Sequence, residues 1–390
     1  MEQRPCRINL FATDPGSDPG AALRGLPVPP AEVREEVFGA FRLATGQAAD
    51  PGDPTGEELE RALEESRGTP PLHGGWRRTA AEDRTYRAVV LGQELTGEAL
   101  SAVAAALNGE GLILTAMRTL SEAFAAVELS LAGPPAEPPQ LTRALRPAAE
   151  EAGVDLAILP PLADRPDPGL LMMDMDSTLL AVECIDEIAE HAGVKEQVAA
   201  ITERAMNGEL DFKGSLVERV KMLEGLPEQV LESVYRERII PNPGARRLVE
   251  VARALGFRVA VVSGGFTFFT DRLREDFGLD FTSANVLEVA DGHLTGRVLG
   301  EIVDGDRKAA ILRELRDRLN LAPEQLVVMG DGANDLPMIA EAGLGLAFHA
   351  KPKVRLQAPY NLIHSSLDGV LYLLGLSDED IERYCEGSKP

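Results

Sequence analysis

Cysteine is scarce in this 390-residue chain: Cys6, Cys184 and Cys385 are the whole supply. Odd in number and far apart, they exclude a disulfide framework and a structural zinc site, both of which need paired or closely set thiols. Histidine is scarce too, and His191, His293, His349 and His364 are scattered without metal-ligand spacing, so they read as structural. The sequence has no run of 18 or more apolar residues that would make a membrane-spanning helix. The first residues lack the continuous apolar stretch and small-residue cleavage site of a secretory signal. A cytoplasmic protein with reduced thiols is the expectation. Basic residues are also short, 39 Lys and Arg against 63 Asp and Glu, for a net charge of −24. Broad electrostatic binding of nucleic acid or anionic lipid needs clustered Lys and Arg and is excluded as the main activity. The same field repels a small anionic ligand, so a site for one must carry its own local cations.

The apolar content of 44% is that of an ordinary globular protein, and the length predicts at least two domains. Residues 1–83 are the least regular: Pro, Gly and Asp cluster in exposed-loop patterns, and short helices are expected at Glu32–Leu43 and Glu57–Ser66. Alternatively this region is a divergent small fold with "CRINLFAT" as its strand. Residues 84–160 alternate in the order βαββαβ, with strands at "TYRAVVLG", "LILTAMRTLS", "AFAAVELSLAG" and "VDLAILPP" and helices between them. This α+β order resembles the ACT-type ferredoxin-like regulatory domain. Ligand-binding members carry a glycine where the first strand meets its helix; here Gly92 and Gly97 are the candidates, and a module used for packing or dimerisation is the other reading.

A proline-rich linker, residues 161–168, leads to a second domain over 169–376, followed by an acidic tail, 377–390, expected to fray. Strands and helices alternate through this domain. The strands "GLLMMD", "FRVAVVSGG", "QLVVMGDG", "GLGLAFHA" and "YNLIHS" are continuously apolar, as strands buried on both faces should be. The fold class is therefore α/β, a doubly wound parallel sheet whose ligands bind beyond the carboxyl ends of the strands. Some 80 residues of mostly helical pattern separate the first two strands, too many for one crossover. They predict an inserted helical cap at about 183–243.

Chemistry-bearing residues fall at the strand ends. Asp174 and Asp176, spaced i and i+2 after the first strand, face one side of an extended segment. Two adjacent carboxylates repel unless a cation or proton lies between them, and Mg²⁺, a hard ion that takes one or two carboxylates plus phosphate and water, is the natural partner. The second strand ends in Ser263-Gly264-Gly265, whose hydroxyl and close-approaching amides suit phosphate oxygens. A later strand ends in "GDGANDLPM", which brings Asp331, Asn334 and Asp335 to the same edge. Lys308, leading the helix "KAAILREL", supplies the local cation that the overall charge demands.

Asp-x-Asp-Ser-Thr, Ser-Gly-Gly, Lys and Gly-Asp-Gly-x-Asn-Asp, in this order and context, resemble the haloacid dehalogenase superfamily of phosphotransferases. The longer strings "MDMDST", "ECIDEIAEHAGV", "ITERAMNGELDF", "VVSGGFTFFTDRL" and "AFHAKPKV" are similar to its phosphoserine phosphatases over roughly residues 169–375. The resemblance implies Mg²⁺-dependent hydrolysis of O-phospho-L-serine, the last step of serine biosynthesis, through a phosphorylated aspartate. It implies Asp174 as nucleophile and Asp176 as general acid and base. Metal binding would fall to Asp174, the Asp176 backbone carbonyl and Asp331. Ser263, Gly264, Lys308 and Asn334 would hold the phosphoryl group, with Asp335 in support. From the cap it implies Glu183 for the substrate ammonium and Arg219 for its carboxylate, with Met206 and Phe212 closing over them. Read without the resemblance, Glu183 is equally a helix N-terminal acid and Arg219 a surface ion-pair partner. Another small phosphorylated amino acid or metabolite is the alternative substrate, and a homodimer through the ACT-like module is an expected partner arrangement.

Overall fold

The computed structural model describes residues 6–13, 17–24, 26, 30, 32–38, 41–48, 73–78, 80, 82–121, 126–164, 166–206 and 209–387. They form two compact units. One is drawn from residues 1–165 with 363–365 and 372–380, the other from 166–362 with 366–371 and 381–390.

The first unit holds two four-stranded antiparallel sheets. Strands β1 (Cys6–Ala12), β2 (Val33–Phe38), β3 (Phe41–Ala48) and β4 (His73–Arg78) lie in the order β2-β3-β1-β4, with helix α1 (Pro19–Arg24) between the first two in sequence. Strands β5 (Arg84–Leu91), β6 (Ile113–Ser121), β7 (Ala126–Gly133) and β8 (Asp155–Leu159) repeat that permutation as β6-β7-β5-β8, with α2 (Gly97–Gly109) and α3 (Pro138–Glu151) as connections. Helix α2 starts where Thr96 accepts a hydrogen bond from the Ala99 amide at 3.1 Å. It buries Leu100, Val103, Ala104 and Leu107, the spacing of one helix face. These join Val90, Leu114, Leu129 and Ile158 in a core that also takes in Phe11, Phe41 and Leu43.

One expectation fails in this region and one at the C-terminal tail. The helix expected at Glu32–Leu43 is β2 running into β3: Phe41 and Leu43 are buried while Val33–Phe38 pairs with β3, and sheet pairing overrides a weak helical propensity. The second expected helix, Glu57–Ser66, lies outside the described residues. The tail expected to fray is instead helical from Asp378 to Gly387. Ser377 and Asp380 exchange hydrogen bonds at its start (3.0 and 3.3 Å), and Ile381 is buried.

The second unit is a seven-stranded sheet in the order β12-β11-β10-β9-β13-β14-β15. Strands β9 (Leu170–Met173), β10 (Arg258–Phe266), β13 (Leu326–Gly330), β14 (Leu344–Phe348) and β15 (Tyr360–Leu362) are parallel. Strand β9 pairs with β10 on one side and β13 on the other, so the winding reverses there, and the crevice of such a sheet opens beyond its carboxyl end. Between β9 and β10 lie helices α4 (Cys184–His191), α5 (Lys195–Met206), α6 (Phe212–Lys221) and α7 (Gln229–Arg238), the cap, followed by α8 (Ala245–Leu255). Helix α9 (Thr267–Phe277) follows β10, and α10 (Gly305–Leu319) precedes β13. Short helices α11 (Leu336–Ile339), α12 (Pro352–Gln357) and α13 (Gly369–Leu373) and the terminal α14 (Asp378–Gly387) complete the chain.

The sheet is not wholly parallel. Strands β11 (Phe281–Ala290) and β12 (His293–Leu299) form an antiparallel hairpin at its edge, turning on Asp291 and Gly292, both at positive φ (50° and 75°). Two positive φ values make the tight turn whose twist matches the strands. No helix among the described residues is long and apolar enough to cross a membrane.

Candidate active site

The crevice is assembled from three strand ends and one helix. Strand β9 stops at Met173 because the next residue turns a carboxylate inward: Asp174 is 5% exposed. One of its oxygens accepts the Met175 amide at 2.7 Å and the other pairs with Lys308 Nζ at 2.8 Å. The plane of the carboxylate is thereby fixed. Asp176 is extended (φ −69°, ψ 135°) and Ser177 left-handed (φ 55°), a reversal that turns the chain toward the cap. Asp176 Oδ1 accepts the Cys184 amide at 2.9 Å, and Oδ2 faces the Ser263 hydroxyl at 3.4 Å.

Beside them β10 runs through Ser263-Gly264-Gly265. The Ser263 hydroxyl oxygen accepts the Gly265 amide at 2.8 Å. A Cβ on Gly265 would lie 2.6 Å from Asp176 Oδ2 and 2.6 Å from Met175 Cε, so only glycine lets this turn approach the acid. At Gly264 a Cβ would meet Phe212 Cζ at 2.7 Å. The first residue of cap helix α6 therefore sits directly on this loop.

Lys308 enters from α10 with no solvent exposure, its ammonium 2.8 Å from both Asp174 Oδ2 and Asp335 Oδ1. Asp304 starts that helix by accepting the Arg307 amide at 2.9 Å, and its other oxygen pairs with Lys213 of the cap at 2.9 Å. From the loop after β13, Asp335 accepts the Gly332 amide at 3.0 Å and Asp331 the Thr178 hydroxyl at 3.4 Å. Asn334 is half-buried in the same turn, its backbone packed on Gly305 at the head of α10.

This crowding governs the protonation of the acids. Burial first, then the Asp335 carboxylate, pushes Asp174 well up, and Lys308 pulls it back. Burial also raises Asp176 and lifts Asp331 to about 6, with Asp335 adding to it. For Lys308 burial alone would lower the ammonium, but Asp174 and Asp335 more than offset it and hold the cation charged. A cleft that concentrates so many carboxylates is short of positive charge. Carboxylate oxygens of Asp174, Asp331 and Asp335 lie within 4.8 Å of one another, an all-oxygen set that fits a hard divalent cation. Asp335 joins the expected Asp174 and Asp331 in this side-chain cluster; Asp176 was expected to offer only its backbone carbonyl, and its side chain turns to Cys184 and Ser263.

Among the cap residues, Glu183 sits before α4 and accepts the Ser177 hydroxyl at 2.9 Å. Desolvation and the charge of Asp176 raise it to about 7, an effect that water reaching its exposed side chain screens in part. Arg219 is half-buried on α6, two turns after Phe212 and so on the same face, with Nε 3.4 Å from the Ser215 carbonyl. Met206 ends α5; its side chain lies outside the described residues. Sequence reasoning missed three participants. Thr178 reaches Asp331, Ser177 holds Glu183, and Asn242 of the segment before α8 donates to the Thr178 and Leu180 carbonyls at 2.7 and 2.9 Å, bracing the turn after β9. Ser177 and Thr178 belong to the Asp-x-Asp-Ser-Thr string and carried a signal; Asn242, more than 60 residues away, carried none.

The site and its scaffold match known proteins. Residues 171–340 match the haloacid dehalogenase-like hydrolase family, and residues 84–159 an ACT domain family. The chain is 46% identical over 294 residues to a phosphoserine phosphatase of Streptomyces coelicolor, covering 75% of this chain and 71% of that one. It is 48% identical over 235 residues to one from Polaromonas sp., covering 59% of this chain and all of the relative. The solved structure of a probable phosphoserine phosphatase from Vibrio cholerae superposes with a TM-score of 0.61 at 40% identity, covering 74% of this chain and 86% of that one. The chain belongs to the phosphoserine phosphatases of the haloacid dehalogenase-like hydrolases.

Proposed function

We propose that this chain hydrolyses O-phospho-L-serine to L-serine and phosphate through a phosphoaspartyl intermediate on Asp174. The observation that carries the reading is the wholly buried Lys308 ammonium, bonded at once to the nucleophile candidate and to Asp335, in a crevice floored by Ser263 and Gly264. A net charge of −24 demands a local cation for an anionic substrate, and Lys308 is that cation. Phosphate monoesters hydrolyse so slowly that enzymes reach accelerations of about 10²¹, and a carboxylate nucleophile divides the task into two easier displacements.

The Met175 amide and Lys308 hold Asp174 in a fixed orientation, so one oxygen attacks phosphorus in line with the serine oxygen, and the P–O bond to serine breaks. Asp176, raised by burial, delivers its proton to the departing serine oxygen. Now ionised, it takes a proton from water, whose oxygen attacks the phosphoaspartate and restores Asp174. Ser263, the Gly264 amide, Lys308 and Asn334 are assigned to the phosphoryl oxygens, as donors set where charge develops. Asp335 anchors Lys308. Asp174, Asp331 and the Asp176 backbone would hold Mg²⁺, which when bound neutralises charge shared by phosphate and carboxylates.

Glu183 and Arg219 are assigned to the ammonium and carboxylate of the substrate, the latter as a charge-assisted pair. Phe212, on Gly264, is the part of the cap that excludes water. The ACT-family residues 84–159 are assigned to packing or dimerisation. Three cysteines, odd in number and far apart in the sequence, support a reducing, cytoplasmic setting. The test is phosphate release by Asp174→Asn with Mg²⁺ present. Loss of turnover with retained folding is expected, and turnover within tenfold of the unaltered enzyme would contradict the assignment.

A further inference from the structure

Asn285 is a buried amide that no chemical step uses. It lies on β11, outside the four motifs, and is 1% exposed. Its surroundings follow from an irregularity in the sheet. The β10–β11 ladder pairs Val262 with Ser283 and Phe266 with Asn285, so between these pairs three residues of β10 stand against one of β11. The three are Ser263-Gly264-Gly265, pushed out of the ladder as the loop assigned to phosphate. A bulge of this kind leaves backbone groups without ladder partners, and buried backbone groups need partners.

The side chain of Asn285 meets that need on one side and reaches across on the other. Its Nδ2 donates to the Gly264 carbonyl at 2.8 Å, and its Oδ1 accepts the Val303 amide at 2.8 Å. Val303 is buried and precedes Asp304, the residue that starts α10 and whose carbonyl accepts the Lys308 amide at 2.9 Å. One amide thus ties the phosphate loop to the head of the helix that carries the phosphate-binding cation.

We infer that Asn285 is a positioning residue, which fixes the separation between the Ser263–Gly264 cradle and Lys308 so that both grip the same phosphoryl group. The inference rests on the phosphate-binding roles assigned to Ser263, Gly264 and Lys308. Its chemistry is specific to the phosphoryl end of the substrate, because neither tied element belongs to the cap. A change at Asn285 therefore weakens every phosphate ester alike, whereas a change at Arg219 weakens only those with the serine carboxylate.

The experiment compares Asn285→Leu, similar in size but unable to hydrogen bond, with Asn285→Ala, Ser263→Ala and the unaltered full-length enzyme. The readouts are the inhibition constant for inorganic phosphate, kcat and KM for O-phospho-L-serine and for an aryl phosphate, and Tm. Inactive or unfolded molecules lower kcat but leave the inhibition constant of the active remainder untouched, so that constant separates positioning from mere stability. The expected result is a rise of about tenfold or more in the phosphate inhibition constant, with kcat/KM falling by a common factor on both substrates. An unchanged phosphate constant in both Asn285 variants, with only Tm lowered, overturns the inference. So does a loss confined to phosphoserine. If Ser263→Ala raises the constant and the Asn285 variants do not, the inference alone fails; if Ser263→Ala leaves it unchanged, the cradle reading fails first and takes the inference with it.

Discussion

Replacing Lys308 by methionine keeps the length of the side chain and removes its charge. In the folded enzyme the ammonium has no solvent exposure and lies 2.8 Å from Asp174 and 2.8 Å from Asp335. Deleting one partner of a buried ion pair leaves the other uncompensated, which costs about 3–5 kcal/mol. In a domain of about 200 residues, each kcal/mol moves Tm by roughly 2–4 °C, so a fall of about 6–20 °C is expected at pH 8 without metal. The loss must depend on pH, and its sign follows from the acids. Asp174 is pushed well up and Asp331 to about 6. A carboxyl group whose folded pKa is raised contributes stability that is fully present below its unfolded value, near 4, and lost as pH rises through its folded value. Without Lys308 these groups rise further, so the Tm deficit should be largest at pH 8 and shrink as the pH is lowered to 5. Thermal unfolding across that range in the presence of a chelator measures it. A Lys308→Met protein as stable as its parent at pH 8, or with a deficit that grows toward pH 5, would refute the electrostatic account.

Two further changes probe the scaffold. Gly265→Ala places a methyl group 2.6 Å from Asp176 Oδ2 and from Met175 Cε; overpacking of this kind costs about 1–3 kcal/mol, and kcat should fall for every phosphate ester while the far-ultraviolet circular dichroism spectrum stays unchanged. Tyr86→Phe tests the other unit: its buried hydroxyl donates to the Pro134 carbonyl at 2.7 Å and accepts the Ala136 amide at 2.8 Å. Stranding those two groups should cost about 1–3 kcal/mol, seen in denaturant unfolding of residues 84–159, with kcat for phosphoserine unaltered.

The strand ends of the catalytic unit were legible because parallel strands buried on both faces read as unbroken apolar runs, each stopped by a polar cluster. Asp174, Ser263 and Asp331 declare themselves by where such runs end. The β11–β12 hairpin was passed over because its strands mix polar and apolar residues, with Val286, Val289 and Leu299 exposed at the sheet edge. A signal was present nonetheless: Asp291-Gly292 between alternating segments is the dipeptide a two-residue hairpin turn favours. The Glu32–Leu43 error has another cause. Val33, Val37 and Phe38 fit a helical face locally, and only pairing with Phe41–Ala48, itself paired with the distant Cys6–Ala12, decides for strand. Asn285 was invisible for the same reason, since a lone asparagine in a strand acquires its role only when Gly264 and Val303 are brought to it.

The cap assignment rests on Arg219, and the chemistry on the aspartate cluster, so one assay reaches both. Phosphate release from O-phospho-L-serine and from an aryl phosphate would be followed with and without Mg²⁺, for the parent enzyme and for Arg219→Ala. Removing a charged hydrogen-bonding partner costs about 1.5–3 kcal/mol, which predicts a loss of about 10- to 100-fold in kcat/KM for phosphoserine. Aryl phosphate turnover should be retained, and both activities should require the metal. Equal losses on the two substrates, or phosphoserine turnover indifferent to Arg219, would contradict the account.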